Sequence, residues 1–231
     1  MVASRKILVC VLLSLCSFSV FAQNSAKETE DYKLNFEVYS KAVRYNDVAV
    51  AKDALFKLMI LDPNDISLMD SLAYLYFENQ KYISSLMVCK DILAKNPNNL
   101  GAIEISALSF QNLGLNDKAL AEYESLYLKN NNISTLYQIA FLQYELKRFK
   151  ESKTSVDIIL ANTEIDQLKV IHGTSGNSQQ EVPMKASILN LKGMIDIESG
   201  NKAEAKQNFE DAIKLAPEFE LPKENLKKVN S

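Results

Sequence analysis

Side chains able to move protons, hold metals or attack carbonyls are few in this chain, and they do not gather. It has one histidine, His172, so neither a histidine-bearing metal site nor a Ser-His-Asp relay finds its second anchor. A lone histidine beside Gly173 reads as solvated. Of the three cysteines, Cys10 and Cys16 fall in a leader-like segment, and Cys89 stands alone in a slot that packs. One cysteine builds neither a disulfide nor a metal cluster, so Cys89 reads as buried and inert. Gly173-Thr-Ser-Gly176 is too short to cradle phosphates and lacks the lysine and hydroxyl that follow such a loop. The carboxylates fall beside lysines at helical spacing, as Glu210 and Asp211 do with Lys206 and Lys214, which is the pattern of a solvated helix face. No catalytic residue, metal site or cofactor is expected, and no enzymatic activity.

Charge narrows the partners. The chain carries 26 basic and 29 acidic residues, a formal charge of −3. Arg5 and Lys6 open the chain and an apolar run follows from Ile7 to Ala22, the layout of a secretory signal peptide. Small residues at Val20 and Ala22 place cleavage before Gln23; an uncleaved N-terminal anchor is the alternative. Cleavage takes the basic count to 24 against 29 acidic residues, a charge of −5. Such an acidic chain without a basic stripe is a poor ligand for nucleic acid. Leu13-Ser14-Leu15-Cys16 departs from a lipoprotein motif at Leu15, where a small residue is required, so no lipid anchor is expected. The Val-Phe-Ala-Gln junction resembles signal peptides of Gram-negative Bacteroidota, which implies a periplasmic or outer-membrane-associated protein with no transmembrane span after cleavage.

With so little to position for chemistry, the elements themselves carry the information. Pro63 and Pro97 stand 34 residues apart, closing Leu-Asp-Pro-Asn and Lys-Asn-Pro-Asn. Small residues recur in register at Ala73, Ala107, Ala140 and, after a longer gap, Gly193. A second small series runs Ala51, Ser85, Ala119, Ser152 and Ala205. Four residues after each comes Leu55, Cys89, Tyr123, Val156 or Phe209, and three further on Leu58, Ile92, Leu126, Ile159 or Ala212. Apolar residues recur at three and four between turn signals, as in helices with one buried face. Small residues belong where paired helices cross closely, and large ones where neighbouring pairs meet. Tyr39 breaks the first series.

This pattern resembles the tetratricopeptide repeat (TPR) family, with its 34-residue W-x2-L-G-x2-Y…A-x3-F…P signature. The closest run is Leu191-Lys-Gly193 with Gly200, Ala205, Phe209, Ala212 and Pro217. The predicted fold class is all-α, a TPR helical solenoid of about five repeats: 32–65, 66–99, 100–132, 133–166 and 186–219. A signal peptide at 1–22 and a flexible stretch at 23–30 precede it, and a capping helix at 221–230 closes it. An insertion at about 163–184 interrupts the register. It is either a short β-hairpin or an extended fourth helix with a mobile loop; the hairpin is favoured by Lys169-Val-Ile and Glu181-Val182 flanking a glycine-bearing turn.

The resemblance implies that the first helix of each repeat lines a concave binding surface. Projected onto that geometry, the groove holds Phe36, Asp70, Tyr74, Phe77, Glu104, Leu108, Tyr137, Phe141, Tyr144 and Met194. The family's carboxylate clamp is absent, since its places hold Phe36, Ser40, Ser71, Gly101 and Ile105. An aromatic, acid-edged groove suits an apolar segment carrying positive charge. The expected function is a non-catalytic protein-interaction scaffold of the cell envelope. The alternative is an exported binder of a glycan or small ligand, against which the absence of tryptophan counts.

Overall fold

The computed structural model describes residues 30–173 and 179–230. The signal-peptide reading, the stretch up to residue 29 and the centre of the insertion at 174–178 lie outside the described residues. Helix follows helix in pairs: α1 (30–44) with α2 (Val48–Leu61), α3 (Ile66–Glu78) with α4 (Tyr82–Lys95), α5 (Leu100–Asn112) with α6 (Asn116–Asn130), and α7 (Ile133–Glu145) with α8 (Phe149–Ala161). A 3-10 turn (Thr163–Asp166) and strands β1 (Lys169–Gly173) and β2 (Gln179–Pro183) intervene before α9 (Met184–Glu198) and α10 (Lys202–Leu215). Helix α11 (Glu220–Asn230) follows. The described residues fall into two compact units, divided between Pro97 and Asn98.

Each pair turns by the same device. Asn46, Gln80, Gly114, Lys147 and Gly200 take left-handed backbone, with φ of 57°, 57°, 71°, 60° and 79°. The next residue's N–H reaches back to the carbonyl five residues earlier, as from Lys81 to Tyr76 at 2.9 Å and from Arg148 to Gln143 at 2.8 Å. This closure satisfies carbonyls that the helix end would leave bare. Entry to the first helices α3, α5 and α7 uses side chains instead. The side chains of Asp65, Asn99 and Asn132 accept from the N–H groups of Ser67, Ala102 and Ser134 at 2.9, 2.9 and 2.7 Å. Pro63, Pro97 and Pro217 each follow a second helix by two residues, where a missing N–H costs nothing.

Burial follows the two small-residue series. Ala73, Ala107 and Ala140, and the whole second series, are buried within their units. The serines of the second series also bond across the crossing: Ser85 Oγ donates to the Ala73 carbonyl at 2.8 Å and Ser152 Oγ to that of Ala140 at 2.7 Å. At Gly193 a Cβ would lie 2.6 Å from the Phe209 ring. Cys89 is fully buried, as its slot implied. Tyr39 is half-buried and packs with Leu55, Leu58, Leu68 and Leu72 in the N-terminal unit.

The insertion forms the hairpin. β1 and β2 pair antiparallel with Val170 opposite Val182 and His172 opposite Gln180, and the burial pattern alternates along both strands. Alternation turns Val170, His172, Gln180 and Val182 toward the helices. Val182 joins Ala186, Ala216 and Phe219 in a small core that Val170 and Leu221 complete. Helix α11 rests on the last pair through buried Pro222 and a 3.0 Å bond from Asn225 Nδ2 to Asn190 Oδ1.

Candidate functional site

The residues projected onto the binding face divide between the two units. In the N-terminal unit, Phe36 and Tyr74 stand 49% and 56% exposed, while Asp70 and Phe77 are half-buried. Phe77 is partly held by Tyr82, with ring centroids 5.7 Å apart, and Phe36 lies 6.3 Å from Tyr39. In the C-terminal unit, Glu104 is exposed and Leu108, Phe141, Tyr144 and Met194 are half-buried. Helices α5, α7 and α9 carry Leu108, Phe141 and Met194 at matching register positions, with the hairpin insertion lengthening the gap before α9. Tyr144 meets Phe149 in a tilted contact with ring centroids 5.5 Å apart, so its ring leans on the protein.

Tyr137 differs from its neighbours. It is only 8% exposed, and its hydroxyl lies 2.8 Å from Ser187 Oγ and 3.4 Å from His172 Nε2. His172 Nε2 is itself 2.8 Å from Ser187 Oγ, and its ring packs near Phe219 and Phe141 at 5.0 and 6.4 Å. The histidine is therefore half-buried, not solvated as its glycine neighbour suggested. The hairpin lays it over α7 and α9, and Gln180 Nε2 ties the opposite strand to the Glu218 carbonyl. Nothing in the sequence marks that contact, because its partners are 15 and 35 residues away from His172.

Burial governs the electrostatics of this cluster. Desolvation lowers the His172 imidazole below its ordinary value, so the neutral ring is favoured. Burial pushes the Tyr137 phenol up to about 12, against a smaller opposing pull from Ser187. Ser187 is fully buried, and the Tyr137 phenol beside it holds its proton at neutral pH. The cluster fastens the hairpin to the helices.

Carboxylates edge the face. The Tyr144 phenol is raised first by burial and then by the charge of Glu198. The Tyr123 phenol is pushed up to about 12 by burial and by Glu104. Glu104 and Leu108 line a cavity of about 260 Å³ between α5, α6 and α7, with Tyr123 and Leu126 from α6 and Thr135 and Gln138 from α7. The last four were legible only as packing positions or not at all, since a cavity needs three helices in place.

A Tetratricopeptide repeat model matches residues 186–219. No curated protein matches the chain. Among solved structures, a tetratricopeptide repeat protein from Parabacteroides merdae is 18% identical, covering 87% of this chain and 100% of that one with a TM-score of 0.55. YrrB, a TPR protein with an unusual peptide-binding site, is 13% identical, covering 82% and 88% with a TM-score of 0.65. MamA is 13% identical, covering 86% and 95% with a TM-score of 0.63. At such identities the likeness is one of fold. The chain has the all-α, helix-pair fold of TPR proteins, with a two-stranded insertion.

Proposed function

We propose that this protein is a non-catalytic interaction scaffold of the cell envelope, and that a partner segment lies on the face made by the first helices. The TPR fold generally serves protein–protein interaction, and YrrB shows that it can carry a peptide site. One observation carries the reading here: Leu108, Phe141, Tyr144 and Met194 stay half-open on that face while the crossing and packing series beneath are buried. Half-open aromatic rings already leaning on a neighbour lose little freedom when a partner covers them. Phe36, Asp70, Tyr74 and Phe77 offer a like patch in the N-terminal unit. Tyr137 supports the face from below, since the hairpin covers it. The leader-like residues 1–22 support export to the periplasm or outer membrane.

Mild crosslinking of the tagged protein in envelope fractions, followed by pull-down and mass spectrometry, tests both halves. A few stoichiometric envelope proteins are expected, and their recovery falls at least about tenfold in Phe141→Ser/Tyr144→Ser, two contacts of the kind that dominate interfaces. The same recovery from a variant with native circular dichroism would remove this face from consideration. Recovery of the protein in the cytosol with Met1 intact would end the envelope reading.

A further inference from the structure

We propose that the cavity between α5, α6 and α7 is a subsite for one basic side chain, lysine or arginine, of the bound partner. This rests on the scaffold reading and names what that face selects. At about 260 Å³ the cavity is smaller than the roughly 300–1,000 Å³ of small-molecule pockets, and a single side chain suits it better than a folded ligand. Its floor is Tyr123 and Leu126, both buried, and Leu108 forms one wall. Such a surface takes the methylene stem of a lysine or arginine, whose charged end stays toward water.

The charge of the lining decides which amphipathic side chain fits. Glu104 is its one charged residue, and the remainder are neutral polar groups or apolar. Among the described residues Glu104 enters no salt bridge, whereas Glu145 on the neighbouring first helix already accepts from Asn116 Nδ2 at 2.9 Å. Its field also reaches the floor, where it acts on the Tyr123 phenol. The Tyr123 hydroxyl is committed to Gln111 Oε1 at 3.2 Å, so it does not offer its proton to an anion. An acidic side chain would meet Glu104 with no compensating cation, because no lysine or arginine lines the cavity. Gln138 adds a side-chain amide oxygen that can accept from an ammonium or guanidinium, while the Thr135 hydroxyl oxygen, which already accepts from Asn130 Nδ2 at 3.4 Å, keeps one lone pair.

NMR titration of the methyl-labelled full chain tests this, with Nα-acetyl-lysine methylamide as probe and Nα-acetyl-norleucine methylamide as its uncharged counterpart. Shifts are expected at the Leu108 and Leu126 methyls and at Thr135. The lysine probe binds about three- to fivefold more tightly, the range an exposed ion pair supplies. Glu104→Gln, at an exposed position that leaves the fold intact, brings the two probes to parity. Equal binding to the native protein, preference for norleucine, or shifts elsewhere in the chain overturns the subsite. If capture of envelope partners is still lost in Phe141→Ser/Tyr144→Ser, the subsite alone has failed and the scaffold stands. A lysine preference with capture unchanged in that variant upholds the subsite and removes the aromatic face instead.

Discussion

Ser109 is fully buried in α5, and its hydroxyl has no hydrogen-bond partner among the described residues. The same register position holds Leu75, Leu142 and Ile195 in α3, α7 and α9, the last two fully buried. A stranded hydroxyl costs desolvation and returns nothing, so Ser109→Ala should raise stability by on the order of 1 kcal/mol. Urea denaturation followed by circular dichroism measures it, and an unchanged midpoint would mean the hydroxyl is satisfied in solution. Gly193 presents the opposite case. Ala73, Ala107 and Ala140 tolerate a methyl at the same crossing, but at Gly193 the Phe209 ring occupies the space. Gly193→Ala should cost about 1–3 kcal/mol through overpacking. Phe209→Leu in the same background should recover part of that loss, giving a favourable coupling in a double-mutant cycle. The small-residue series was readable in the chain; which member has no room for a methyl was not.

At the scale of elements, the hairpin is held in part by a titratable group, His172. A released hairpin carries an imidazole near pH 6.5, while the docked ring titrates lower because it is desolvated. Above about pH 6.5 both states are neutral and docking is at full strength. As the pH falls below that value, the released state takes up the proton first and docking weakens. Protection factors at Val170, His172 and Val182 should therefore fall on mild acidification, so that amide exchange there slows less than the intrinsic, base-catalysed rate does. His172→Gln should flatten this dependence. Asp196 works with the opposite sign: burial raises its carboxyl, although Asn208 donates to it at 2.7 Å and opposes the shift. Its neutral form is the one that folding favours, so it adds stability as the pH falls through its raised value. A hairpin-local readout separates the two effects where a global melt would blend them.

For the molecule as a whole, a repeat array draws stability from neighbouring pairs and not from distant ones. The C-terminal unit holds three helix pairs, the hairpin and α11, whose Pro222 and Asn225 cover the last pair. Residues 98–231 expressed alone should thus show a helical spectrum and a cooperative thermal transition. A non-cooperative melt of that fragment would mean its core depends on residues before Asn98. The lysine preference proposed for Glu104 lies wholly within this unit, so it should survive in the fragment.

The chain's own sequence determined the period, the pairing of helices, the small and large positions of the crossings, and the poverty of catalytic groups. These are local or periodic properties: a 34-residue register, proline after a second helix, and an asparagine or glycine where the backbone must turn left-handed. Gln80 and Lys147 hold the same left-handed backbone without such a signal, because the closing hydrogen bonds impose it. What only the tertiary structure decided is which aromatic rings stay open. Tyr137 and Phe141 look alike in sequence, yet the first lies beneath His172 and Ser187 while the second stays half-open. Covering a side chain requires atoms from segments far apart in the chain, and no pattern along one helix records which segment will fold over it.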